Sequence, residues 1–269
     1  MKRVIAVIGM PRSGTSFTGQ IFDSHPHTVF RMEPLFAYKL KNIIDENSTK
    51  NEYLNFLKKA YESDEDFFMN QLDKRENGSY PTFQKSNKDI LVIKTTRFHE
   101  MLETFLKYFD EDFFKVVCIV RHPAGAISSW INHPKEFPKG FDYRDEWRTG
   151  NCKKTAKEEY WGFEDWKKIT TQHTELERKY SNFKIFQYED IVNNIKDKTS
   201  ELFKFTNLDM NKQTNDFLLE CQSKEIEDPY AVYKNKTVIS KWKYQLDKDI
   251  QDIIINEIKN TQLEQFLVE

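Results

Sequence analysis

Short apolar runs alternate with helical patterns along most of the chain. Residues 4–8, 90–93, 116–120 and 183–186 are mainly apolar, the pattern of parallel strands covered on both faces. Between them, apolar positions fall at helical spacing. Phe17, Ile21 and Phe22 predict a helix capped by Thr15 or Ser16 and ended by the His25-Pro26 turn. Tyr53, Phe56, Leu57, Ala60 and Tyr61 recur as one helix face should, and Met101, Leu102, Phe105, Leu106 and Phe109 do the same. A longer helix is expected over residues 155–180, with Tyr160, Trp161, Phe163, Trp166 and Ile169 inward. Strand–helix alternation predicts an α/β fold with a mostly parallel central sheet flanked by helices.

Two segments interrupt that rhythm. Residues 62–89 are polar and hold Asn77-Gly78-Ser79 and Pro81, while residues 132–154 hold Pro134, Pro138, Gly140 and Gly150 among charges and aromatics. Long loops at strand ends shape substrate sites in open sheets, and they are equally read as surface insertions. Phe137, Phe141, Tyr143 and Trp147 in the second loop either stack on a ligand or pack. No internal repeat breaks the chain, so residues 1–269 are read as one domain with insertions at roughly 38–89 and 132–154.

Composition narrows the classes. Lys plus Arg number 41 against 43 Asp plus Glu, so the formal net charge of −2 gives no basic excess for nucleic acid. The 22 Phe, 12 Tyr and 5 Trp supply enough apolar area for a core despite a charged fraction of 31%. Three scattered cysteines make neither a disulfide framework nor a zinc site. No apolar run reaches the ~18 residues of a membrane span. The stretch after Lys2-Arg3 is short and runs straight into Pro11-Arg12-Ser13-Gly14, so it reads as a buried strand and the expected location is cytoplasmic.

The first strand ends in Gly9-Met10-Pro11-Arg12-Ser13-Gly14-Thr15-Ser16 and leads directly into a helix. Gly14 lets the backbone approach a ligand closely, the helix start offers N–H groups to an anion, and Thr15 and Ser16 add hydroxyls. The spacing is that of a Walker A loop with Thr15 in the lysine position. Arg12 can supply the missing cation, and an arginine–phosphate hydrogen bond is worth roughly 1.5–3 kcal/mol. The strand at 116–120 ends in Arg121-His122-Pro123 rather than in an acid that would hold Mg²⁺. A second anionic group on the ligand therefore fits better than ATP hydrolysis.

These residues resemble the PAPS-dependent sulfotransferases, where PAPS is 3′-phosphoadenosine 5′-phosphosulfate. The family's 5′-phosphosulfate loop is similar to residues Arg12, Ser13, Gly14, Thr15 and Ser16. Its 3′-phosphate motif, an arginine at a strand end with a serine eight residues later, resembles Arg121 and Ser129. His25-Pro26 followed by Glu33-Pro34-Leu35 is similar to the carbohydrate and tyrosylprotein branches, where such a glutamate is the catalytic base. Ile93-Lys94-Thr95-Thr96-Arg97 resembles the segment carrying a cation near the leaving group. Tyr188-Glu189-Asp190 resembles a segment whose tyrosine lies near the adenine. The Ser240-Lys241-Trp242 stretch resembles the C-terminal cofactor loop. The cytosolic small-molecule branch has K-T-H where this chain has Lys94-Thr95-Thr96, so its histidine base is absent and Glu33 is the candidate. That branch's R-K-G is replaced by Tyr233-Lys234-Asn235-Lys236.

The resemblance implies a P-loop-type three-layer fold and an enzyme moving a sulfuryl group from PAPS to an acceptor hydroxyl, leaving 3′-phosphoadenosine 5′-phosphate (PAP). Glu33 would be the base, Arg12 and Lys94 would offset charge on the leaving group, and no metal is required. The Glu33 pattern favours a carbohydrate or glycolipid acceptor. A tyrosylprotein-type acceptor, a P-loop kinase-like protein and a non-catalytic nucleotide-binding module are the alternatives. For several of these residues a plain role stands beside the functional one: Glu33 as a turn cap, Lys94 as a solvated flank, Tyr188 and Trp242 as packing aromatics. His25, His27 and His122 sit in proline turns and read as structural. His99, His133 and His173 have no ligand spacing.

Overall fold

The computed structural model describes all residues except 37–39, 64–69, 224–235 and 268–269. Residue 38 of the first insertion and residues 233–235 of the C-terminal segment thus lie outside the described residues. The apolar run at the start forms the middle of the sheet: β1 (Arg3–Ile8) pairs in parallel with β3 (Ile90–Thr95) on one side and β4 (Phe114–Val120) on the other. β2 (Thr28–Met32) lies outside β3 and β5 (Phe183–Gln187) outside β4, giving the order β2-β3-β1-β4-β5 with every pairing parallel.

The helices in chain order are α1 (Thr15–Asp23), α2 (Lys50–Glu62), α3 (Leu72–Glu76), α4 (Leu102–Tyr108), α5 (Pro123–Ile131), α6 (Tyr143–Glu146), α7 (Gly162–Lys179), α8 (Tyr188–Asn193), α9 (Ile195–Phe205), α10 (Lys212–Ser223), α11 (Trp242–Gln245) and α12 (Lys248–Ile258). They cover both faces of the sheet, as a parallel sheet requires. Alternate residues of β1 enter separate cores. Val4, Ala6 and Ile8 pack with Phe56 and Leu57 of α2 and Trp166 of α7, whereas Ile5 and Val7 pack with Ile21 and Phe22 of α1 and Leu202 of α9. Three layers result.

Four details differ from the sequence reading. β2 has no continuous apolar run, because Phe30 and Met32 alternate with the half-buried Val29 and Arg31 at a sheet edge. α1 has Gly14 as its N-cap, with no side-chain cap, so neither Thr15 nor Ser16 performs that role. α7 begins at Gly162 rather than near residue 155. Trp161 is extended, and Gly162 has φ 83°, a left-handed conformation that resets the chain direction before the helix. The two long loops contain the short helices α3 and α6 and bury Tyr80 and Trp147, so neither is merely surface. Cys118 and Cys221 are buried, Cys152 is half-buried, and all three are free thiols.

Candidate functional site

The chain leaves β1 to build β2 and β3 on one side, then crosses to β4 and β5 on the other. Ligands in open parallel sheets bind beyond the carboxyl ends of the strands at such a switch point. There the structure has a cavity of about 700 Å³, lined by the loop after β1, the segment after β2, the ends of β3 and β4, α5 and α11.

The loop after β1 turns sharply. Arg12 has φ 67° and Gly14 φ 93°, and a side chain at Gly14 would meet the Tyr188 ring at 2.2 Å. Only glycine fits there. The segments around Arg12 and Arg121 meet in space. Arg12 Nε donates to Ser129 Oγ at 3.3 Å, and Arg121 Nη1 donates to the Arg12 carbonyl at 3.1 Å. Arg121 Nη2 donates to the Val238 carbonyl at 3.1 Å, and its guanidinium lies 4.9 Å from the Tyr188 ring centroid. Its Nε is buried with no hydrogen-bond partner among the described residues. Trp242 stacks on His122 at 4.4 Å, and His122 N–H donates to Glu189 at 3.1 Å. Burial raises the Glu189 pKa although Arg121 opposes it.

Glu33 lines the same cavity from the segment just past β2, with φ 42° and 3% exposure. Its Oε1 accepts from Lys94 Nζ at 3.0 Å and from the Thr96 amide and hydroxyl at 2.8 Å each. Oε2 accepts from the Thr95 hydroxyl at 2.8 Å. Arg97 Nη1 stands 3.7 Å from Oε1, the Arg97 guanidinium lies 4.3 Å from the Phe36 ring centroid, and its Nη2 pairs with Glu159 at 3.3 Å. Burial alone would raise the Glu33 pKa, but Lys94, Arg97 and the hydroxyls outweigh it and hold the carboxyl below its ordinary range.

The backbone itself marks the site. Among the described residues, eight non-glycine residues have positive φ; four are asparagines, which tolerate it, and of the other four, Arg12, Glu33 and Gln71 line the cavity while Phe98 does not. Such strain costs on the order of 1–3 kcal/mol per residue and gathers where geometry is over-determined.

Of the residues expected from the sequence, Arg12, Gly14, Thr15, Ser16, Glu33, Lys94, Arg121, Ser129, Tyr188, Lys241 and Trp242 line this one cavity. Two do not. Ser13 is 1% exposed with its hydroxyl buried and without a partner among the described residues, and Ser240 Oγ turns back to the Thr237 carbonyl. Arg97, Thr96, Gln71, Asp73, Lys74, His133, Glu136 and Trp161 line it without having been singled out. Arg97 and Thr96 have a local signal, since they follow Lys94 directly. The others have none, because tertiary packing alone brings them in. Phe137 and Trp147 pack on Trp130 and Phe163, Tyr143 donates to Asp247, and Phe141 is exposed. His99 and His173 meet at 3.2 Å, with Cys118 3.1 Å from His173, and burial lowers both imidazole pKa values. Among the described residues no group of three His, Cys, Asp or Glu side chains is arranged to hold a metal ion. No described helix is long and apolar enough to cross a membrane.

Comparison with known proteins follows the same lines. The family model described as "Sulfotransferase family" matches residues 4–212. No curated protein matches the chain. Among solved structures, mouse sulfotransferase SULT7A1 complexed with PAP superposes with a TM-score of 0.55 at 15% identity, over 99% of this chain and 88% of that one. The sulfotransferase domain of the Synechococcus PCC 7002 olefin synthase gives 0.54 at 14%, over 96% and 95%. Retinol dehydratase in complex with retinol and PAP gives 0.55 at 14%, over 97% and 82%. At these identities the likeness is one of fold.

Proposed function

The chain belongs to the sulfotransferase family, and from that premise we propose that it moves a sulfuryl group from PAPS to an acceptor hydroxyl, with Glu33 as general base. One observation supports this reading above all: the loop after β1 and the Arg121–Ser129 pair, more than a hundred residues apart in sequence, hydrogen-bond to each other beside the cavity that Glu33 and Lys94 also line. A ligand phosphorylated at both ends of a ribose needs two such anion-binding arms in one pocket. Two of the superposed proteins hold PAP, which fits the same reading.

Arg12, Thr15, Ser16 and the first N–H groups of α1 would hold the 5′-phosphosulfate. Arg121 and Ser129 would hold the 3′-phosphate. Arg121 uses one N–H of each terminal nitrogen on the Arg12 and Val238 carbonyls, so each has a second to give. Tyr188 and Trp242 would wall the base. When bound, PAPS supplies an activated sulfuryl group whose S–O bond to phosphate breaks as the acceptor oxygen bonds to sulfur. Glu33 takes the acceptor proton; Oε1 is held by three hydrogen bonds while Oε2 has one, which leaves a lone pair on Oε2. Lys94 and Arg12 offset charge on the departing phosphate oxygen.

Gln71, Asp73, Asn132 and Glu136 give the acceptor side several planar hydrogen-bonding groups beside Trp161. Such a wall suits a sugar-bearing acceptor. Thr15, at the position of the Walker lysine, is buried as the first residue of α1, which argues against a kinase-like reading. The test is transfer itself. Purified protein with PAPS and a panel of 4-nitrophenyl glycosides should release PAP and form a sulfated glycoside, and Glu33→Gln should slow this by about a hundredfold or more. PAP release with no sulfated product, or full activity in Glu33→Gln, contradicts the reading.

A further inference from the structure

Asp23 stands where a carboxylate is least at home. It is the last residue of α1, at the helix's partially negative end, and only 2% exposed. Two cations converge on it. Arg75 Nη2 lies 2.7 Å from Oδ2 and Lys85 Nζ 2.7 Å from Oδ1. Lys85 also donates to the His25 carbonyl and the Thr28 hydroxyl, each at 3.3 Å, and Arg75 donates to the Asn70 carbonyl at 3.1 Å and to the Pro81 carbonyl. These partners tie the end of α1 to the chain on both sides of α3.

We propose that Asp23 is a positioning residue: through Arg75 it fixes residues 70–76 as the acceptor-side wall of the pocket, independently of the cofactor side, while Lys85 holds Asp23 itself in place. The proposal rests on the reading of this cavity as a sulfotransfer site. α3 has five residues and buries no side chain, so neither its length nor its own packing holds it in place. Yet Gln71, Asp73 and Lys74 line the cavity, and Gln71 is held at φ 53° with 3% exposure. Something outside the helix must fix that backbone, and the Arg75 tether does so. Arg31 of β2 adds a second tether, donating to Asn70 Oδ1 at 2.9 Å. A buried ion trio adds little net stability over apolar packing, which suits a role in geometry. From Thr15 to Asp23 the rise along α1 is roughly 12 Å at about 1.5 Å per residue, so a change at Asp23 leaves the anion loop alone.

The experiment compares Asp23→Asn, Arg75→Met and the conservative Arg75→Lys with the parent protein. Arg75→Met leaves Asp23 paired with Lys85 and so keeps the question open to test if Asp23→Asn fails to fold. Expected in Arg75→Met are amide exchange at least tenfold faster in residues 70–80, unchanged exchange in β1, β3 and β4, and PAP affinity within threefold. The acceptor KM for the best 4-nitrophenyl glycoside should rise tenfold or more with kcat within threefold, and Arg75→Lys should recover part of both effects. Unchanged exchange in residues 70–80, or PAP affinity falling in step with it, overturns the proposal. If the parent protein transfers to no glycoside, the sugar reading fails, while exchange and PAP affinity still decide the anchor.

Discussion

Glu33 is kept ionised by its neighbours rather than by water. Lys94, Arg97 and two threonines surround a carboxylate that burial would otherwise neutralise, and the result is a lowered pKa. If Glu33 is the base, Glu33→Gln should reduce kcat by about 10²–10⁴-fold and leave PAP affinity unchanged, because the amide keeps the shape and loses the proton acceptor. Stopped-time assays of sulfated product and calorimetry with PAP check both halves. Arg97 gives a second test. Removing a cation near a carboxylate disfavours its ionised form, so in Arg97→Leu the acid limb of the kcat/KM profile should move to higher pH. An unmoved limb would mean that another group titrates. Arg12, Arg121 and Ser129 were legible as cavity residues because each sits at a fixed offset from a strand end, whereas Glu33 was legible only through a motif resemblance, since β2 does not read as a strand. Gln71, Asp73 and Trp161 were not, since nothing local marks a residue that reaches the cavity through a distant tether.

The phosphate loop shows how an element turns backbone sterics into a site. Gly14 is left-handed and lies against Tyr188, so Gly14→Ala meets both a disfavoured φ and a ring 2.2 Å from the new carbon. PAP affinity should fall at least tenfold in this variant, with Gly78→Ala as a control whose added carbon meets nothing within 4 Å. Equal affinity in the two would detach Gly14 from ligand binding. The central strands were legible because burial on both faces removes polar residues from the pattern. The edge strand β2 was not, because one side of it carries Arg31, whose guanidinium reaches the Ala60 and Tyr61 carbonyls. The start of α7 was not legible because aromatic spacing continues through Tyr160 and Trp161, whereas the extended Trp161 and left-handed Gly162 delay the helix to Gly162.

For the molecule as a whole, stability and ligand choice follow from what is buried. His99 and His173 are buried together as neutral imidazoles, His99 with its pKa lowered to about 4 and His173 with its pKa well below the ordinary value, both through burial. In the unfolded chain each takes up a proton near pH 6.5, so their contribution is fully present above that pH. It is lost as pH falls toward 4, at up to about 1.4 kcal/mol per pH unit for each. The urea midpoint should therefore drop between pH 7 and pH 5, and a flat profile would contradict burial in the neutral form. The most direct test of the functional account is calorimetry of PAP against ADP, without Mg²⁺, on the parent protein and Arg121→Ala. The account predicts clear preference for PAP in the parent and loss of that preference in the variant. Equal or tighter binding of ADP, or a preference that survives Arg121→Ala, would contradict it.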